Sequence, residues 1–123
     1  MEKKNCVLIV DDDPSNLMEL FYILRSDYNL ITAIDGKSAL EKANELVPDL
    51  ILLDVFMSDI DGFEVLAKLK ESDKTKAIPV ILISGLKDDG KGLAVGAADY
   101  IRKPYSADLV KLKVSQQIKA INQ

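Results

Sequence analysis

The chain has 123 residues, 48% of them apolar and 29% charged, one domain's worth of an ordinary globular mix. It has no histidine and a single cysteine, which excludes a catalytic triad or dyad built on its own imidazole, a histidine-ligated zinc site, an internal disulfide and a cysteine-cluster metal site. With 16 basic against 20 acidic residues the net charge is −4, a poor balance for gripping phosphate backbones, and no apolar stretch approaches the ~20 residues of a membrane span.

The start, Met1-Glu2-Lys3-Lys4-Asn5, leads into only a short apolar run, so it does not read as a signal peptide. A soluble, cytoplasmic setting is expected. Cys6-Val7-Leu8-Ile9-Val10 is a continuous apolar run, the pattern of a strand buried on both faces, with Cys6 expected as a small core residue. Asp13 can cap a following helix with Pro14 at its first position. Leu17, Leu20, Phe21 and Leu24 then form one apolar stripe. Leu30-Ile31-Thr32-Ala33 predicts a second strand. A helix after Asp35 places Leu40, Ala43 and either Leu46 or Val47 inward, and Pro48 stops it. Leu50-Ile51-Leu52-Leu53 predicts a third buried strand ending at Asp54.

Asp61 and Glu64 have the spacing of a capping box, and the helix they open carries Phe63, Val65, Leu66 and Leu69. Pro79-Val80-Ile81-Leu82-Ile83 predicts a fourth strand ending at Ser84. Between Lys87 and Ala98, Gly90, Gly92 and Gly96 each cost about 1 kcal/mol in a helix interior, so a helix there is short or mobile. Tyr100-Ile101-Arg102 is a short fifth strand before Lys103-Pro104. The last helix runs from near Ser106 toward Ile121, with Lys111, Lys113 and Lys119 as its solvated face.

Five strand–helix units without repeat or linker predict one domain, residues 1–123, of the α/β class: a doubly wound, five-stranded parallel sheet with five helices. Five strands suit the flavodoxin-like order 2-1-3-4-5, in which ligands sit beyond the carboxyl ends of strands 1 and 3. Those ends carry Asp11-Asp12-Asp13 and Asp54, with Ser84 and Lys103 ending strands 4 and 5. Singly, each has a plain structural reading as a cap, a turn residue or a solvated charge. Jointly they do not. Two carboxylates ~5 Å apart repel by about 3 kcal/mol at an effective dielectric of 20. A hard divalent ion relieves this, and Mg²⁺ in particular completes its shell with phosphate oxygens. Metal, lysine and hydroxyl around a phosphoryl group, with a carboxylate in line, is a set able to form an acyl phosphate.

Over its whole length the chain resembles the receiver domain of two-component response regulators. The matching motifs are Val10-Asp11-Asp12-Asp13-Pro14, Leu52-Leu53-Asp54-Val55-Phe56-Met57, Asp61-Gly62, Ile83-Ser84, Gly96-Ala97-Ala98-Asp99-Tyr100 and Lys103-Pro104. The resemblance implies that Asp54 is the phosphoacceptor. It implies that Asp12 and Asp54 ligate Mg²⁺ directly, Asp11 largely through water, and Phe56 through its backbone carbonyl. Ser84 and Lys103 would bind phosphoryl oxygens, Tyr100 would be the aromatic switch coupled to Ser84, and the Lys103–Pro104 bond would be cis. The implied partners are a histidine kinase or histidine phosphotransfer protein, an effector domain or protein, and a second copy through the last helix and its neighbouring strand. Neither direct nucleic-acid binding nor a membrane role is implied, and the domain would turn over no external product. The sequence departs from the family's pattern in three places. Ser58 stands where proline is usual and Gly85 where alanine is common. Ser84 and Tyr100 are only 16 positions apart, about one helical turn less than usual.

Two other readings compete. One is a degenerate receiver acting as an interaction module without phosphorylation. The other is a haloacid-dehalogenase-like phosphohydrolase, with Asp11 as nucleophile and Asp13 as acid. The second leaves Asp54 without a role.

Overall fold

The continuous apolar runs form strands and the 3.6-period stripes form helices in the computed structural model, which describes residues 4–85 and 96–122. In chain order the elements are β1 (Cys6–Val10), α1 (Pro14–Leu24), β2 (Asn29–Ala33), α2 (Gly36–Leu46), β3 (Leu50–Asp54), α3 (Gly62–Glu71), β4 (Val80–Ser84), β5 (Asp99–Arg102) and α4 (Ala107–Ile121). All neighbouring strands are parallel, in the order β2-β1-β3-β4-β5. The short helix expected between Lys87 and Ala98 falls mostly on residues 86–95, outside the described residues.

Alternate strand residues point to opposite faces, so the one sheet carries two cores. Leu8, Val10, Ile51, Leu53, Val80 and Leu82 pack with Ala39 and Ala43 of α2 and Val65, Leu66 and Leu69 of α3. Val7, Ile9, Leu50, Leu52, Ile81 and Ile83 pack with Leu20 and Leu24 of α1 and Val110, Val114 and Ile118 of α4. Each fully buried leucine or isoleucine contributes about 1.5–3 kcal/mol relative to exposure. The register aligns Val10 with Leu53, Asp54 with Ile83 and Ser84 with Arg102. The carboxyl ends of the strands therefore finish along one edge.

Three expectations are corrected. Neither Leu46 nor Val47 turns inward; they are 51% and 44% exposed. The buried line of α2 ends at Ala43, and Val47 takes a left-handed conformation (φ 43°) that reverses the chain and sends Pro48 inward instead. Cys6, at the outer end of β1, is half-buried rather than a core residue. Lys113 is not simply solvated: its Nζ lies 2.9 Å from Asp99 Oδ1, joining α4 to β5. No helix among the described residues is long and apolar enough to cross a membrane.

Candidate functional site

The Asp11-Asp12-Asp13 run separates into three roles. The Asp11 amide donates to the Ala33 carbonyl at 3.1 Å, extending the β1–β2 ladder by one bond. Its Oδ1 accepts the Asp13 amide at 2.9 Å, an aspartate turn that directs the chain into α1. Asp13 caps α1 by accepting the Ser15 amide at 2.9 Å, with Pro14 at the first helical position. Asp12 is exposed between them. Asp54 ends β3 and is 5% exposed, next to Asp11 at 1%.

Lys103 reaches this pair from β5. Its amide donates to the Ser84 carbonyl at 2.8 Å, which ties the lysine to the end of β4, and the Lys103–Pro104 peptide is cis as expected. Nζ lies 3.3 Å from Asp54 Oδ1 and 3.7 Å from Asp11 Oδ2. Ser84 is 1% exposed at the same edge. Tyr100 of β5 pairs with Leu82 of β4 and packs, half-buried, against the α2–α3 core. Phe56 follows Asp54 by two residues in an exposed loop, its side chain 56% exposed. The base of that loop is held by Gly62, whose amide donates to the Val55 carbonyl at 2.7 Å. A Cβ on Gly62 would stand 2.5 Å from the Asp54 carbonyl oxygen, so the close approach of α3 to the end of β3 demands glycine.

Burial pushes the Asp54 carboxyl up to about 6; the Asp11 charge adds to this and Lys103 opposes it. Burial also raises Asp11, against the Asp13 amide and Lys103. Perturbed carboxyls crowded at a sheet edge mark a functional site. The ligand atoms of Asp11, Asp12 and Asp54 lie within 4.8 Å of one another. Three carboxylates and one ammonium leave two negative charges, the amount a divalent cation neutralises. Asp11 Oδ2 is buried and accepts no hydrogen bond among the described residues. An all-oxygen donor set with such an orphaned oxygen fits a hard cation.

The sequence reading missed three residues near the site. Tyr105 stands beside Glu19 of α1, and burial first, then the Glu19 charge, pushes its phenol up to about 12. Both line a cavity of about 370 Å³ beside Lys103, with Asn16 and Pro104. Asp59 fastens the Phe56 loop to α2. No local pattern signals any of these contacts, because each depends on how distant elements pack.

The response regulator receiver domain family matches residues 7–115. The response regulator PleD of Caulobacter vibrioides is 44% identical over 102 residues, covering 80% of this chain and 22% of PleD. A probable cyclic di-GMP phosphodiesterase of Vibrio cholerae is 39% identical over 111 residues, covering 88% of this chain and 25% of the relative. The chain thus spans about a quarter of the length of these two relatives. The crystal structure of the Vibrio cholerae chemotaxis protein CheY4 superposes with a TM-score of 0.86 at 30% identity, covering 94% of this chain and 99% of CheY4. On its sequence, its strand order and the placement of its acidic edge, the chain belongs to the response regulator receiver domain family.

Proposed function

We propose that Asp54 accepts a phosphoryl group from a phosphohistidine on a partner kinase or phosphotransfer protein, or from a small acyl phosphate, with Mg²⁺ held by Asp11, Asp12, Asp54 and the Phe56 carbonyl. The observation that carries this reading is the meeting of three carboxylates with Lys103 Nζ at one edge, where one buried carboxylate oxygen lacks a hydrogen bond. When bound, the cation neutralises charge on the carboxylates and on the phosphoryl oxygens.

The chain's own residues do the rest. An Asp54 carboxylate oxygen bonds to phosphorus as the phosphorus–nitrogen bond breaks, and the electron pair leaves on the imidazole, which takes up a proton. Lys103 holds one phosphoryl oxygen and the Ser84 hydroxyl donates to another. The new bonds to Ser84 and Lys103 then favour a second arrangement in which Tyr100 is more deeply buried. Moving a population from 1:99 to 99:1 takes ~5.5 kcal/mol of differential stabilisation.

On this reading residues 1–123 act as one cytoplasmic receiver unit that controls an effector and turns over no external product. A second copy is accommodated along α4 and β5, where Leu112 is 53% exposed. The test is intact-mass measurement after incubation with a small acyl phosphate, with and without Mg²⁺. One phosphoryl group on the wild type with Mg²⁺, and none on Asp54→Asn, is expected. An unchanged yield in Asp54→Asn would place the phosphoryl group elsewhere and end this reading.

A further inference from the structure

The loop between β3 and α3 is fastened at two points. At its base the Gly62 amide donates to the Val55 carbonyl. At its tip Asp59 reaches a different element. Its Oδ1 accepts the Gly36 amide and its Oδ2 the Lys37 amide, each at 3.0 Å. These amides open α2, whose own cap, Asp35, takes the Ser38 amide at 2.7 Å. The first turn of a helix leaves four amides without intrahelical acceptors and carries partial positive charge. Asp59 answers both needs from more than 20 residues away. The Gly36 amide first, with those of Ile60 and Lys37, holds its carboxyl below the usual range.

Next to it, Ile60 seats against Gly36. A Cβ there would stand 2.3 Å from Ile60 Cγ1 and 2.8 Å from Cδ1. Phe56, whose carbonyl the metal reading requires, lies between the two fastenings. At Ser58 no proline ring fixes φ. The hold on α2 therefore fixes this stretch of backbone.

We infer that Asp59 is a positioning residue for the metal-ligating carbonyl of Phe56, and that it couples the first turn of α2 to occupancy of the acidic cluster. This rests on the phosphoacceptor reading. Asp59 touches neither metal nor phosphoryl group; it acts through the loop. Outer-shell partners of metal ligands typically influence affinity by tenfold or more.

The full chain, labelled with ¹⁵N and titrated with MgCl₂, gives a Mg²⁺ midpoint from its amide resonances without any turnover. The Mg²⁺ dependence of Asp54 phosphorylation by an acyl phosphate gives a second midpoint. Asp59→Asn keeps the size and one acceptor; Asp59→Ala removes both. Both midpoints are expected to rise about threefold in Asp59→Asn and about tenfold in Asp59→Ala. The phosphorylation rate at saturating Mg²⁺ stays within about twofold of wild type. In the wild type the Gly36 and Lys37 amides shift with the same midpoint, and in Asp59→Ala they stop responding. A merely structural cap would lower the melting temperature and leave both midpoints unchanged, and that result overturns the inference. If Asp59→Ala does not fold, a wild-type midpoint in Asp59→Asn overturns it equally. A wild-type chain that shows no Mg²⁺ response at all overturns the phosphoacceptor reading instead, and this inference with it.

Discussion

Asp54 is held at a cost to the fold, and the sign of that cost is testable. Its carboxyl titrates near 6 in the folded chain against an ordinary value of 3.8, with burial as the first cause and Asp11 as the second. Between those values the folded state holds a proton that the unfolded state has released. Stability therefore falls as pH rises through that window, and the penalty is complete above it. The rise from 3.8 to about 6 sets a ceiling of about 3 kcal/mol on that penalty. Lys103 is already counted in that value, and solvent screening at this sheet edge reduces the penalty to about 1–2 kcal/mol. Asp54→Asn should accordingly be more stable than the wild type at pH 7 by that amount without Mg²⁺, with the gap closing by pH 4. Urea unfolding at the two pH values measures it, and an equal gap at both would refute the assignment of the strain to Asp54. At this scale the site was largely legible. Asp11, Asp12, Asp54 and Ser84 follow continuous apolar runs, Lys103 follows the short last strand, and a parallel sheet gathers the ends of its strands at one edge. Asp59 was not legible: an aspartate in a polar loop carries no sign that its acceptor role lies on another helix.

The elements begin where short-range chemistry says they should. Asp13, Asp35, Asp61 and Ser106 cap the four described helices, each accepting an amide two or three residues on. Where expectation failed, the reason is placement relative to the sheet. Leu46 and Val47 have helical spacing with Ala43, but the left-handed turn at Val47 ends the buried line first. Lys113 is drawn from solvent by Asp99, a strand residue 14 positions earlier. The glycines separate the same way. Gly62 faces backbone atoms, the Asp54 carbonyl oxygen at 2.5 Å and Val55 Cα at 2.7 Å, which no rotamer change can relieve. Gly85, next to Ser84, has no other described atom within 4 Å of a built Cβ and is not in the left-handed region. Opposite effects are expected from one methyl group. Gly62→Ala should destabilise by about 1–3 kcal/mol and reduce Asp54 phosphorylation, since it pushes on the phosphoacceptor's own carbonyl. Gly85→Ala should stabilise by about 0.4–1 kcal/mol by restricting the unfolded chain. Thermal unfolding of both variants decides, and a destabilised Gly85→Ala would mean that the turn after Ser84 needs glycine's freedom.

In the whole molecule, two cores grip one sheet from opposite sides, and the acidic edge is the carboxyl-end rim of that same sheet. The α/β class and sheet order could be inferred from the alternation of apolar runs and helical stripes, because both faces of the three central strands, β1, β3 and β4, are apolar. The rim is where the sequence departs from what stability alone would select: buried Asp11 and Asp54 stand side by side at the ends of β1 and β3. A ligand that binds only the assembled rim must therefore stabilise the entire fold, since in the unfolded chain residues 11, 12 and 54 are not held together. The linkage is RT ln(1 + [L]/Kd), about 2.7 kcal/mol at a hundred times Kd. For a chain of this length that corresponds to a rise in Tm of about 10 °C. Calorimetry at pH 7 in Mg²⁺, against a chelator at matched ionic strength, should show this rise in the wild type. The rise should shrink to a few degrees (about a third or less) in Asp54→Asn and in Asp11→Asn, each of which removes one anionic ligand. Mg²⁺ should also flatten the dependence of wild-type stability on pH between 4 and 7, because a bound cation favours the ionised carboxylates that burial disfavours. Equal rises in all three proteins would mean that Mg²⁺ acts as a general salt and that the rim is not a metal site.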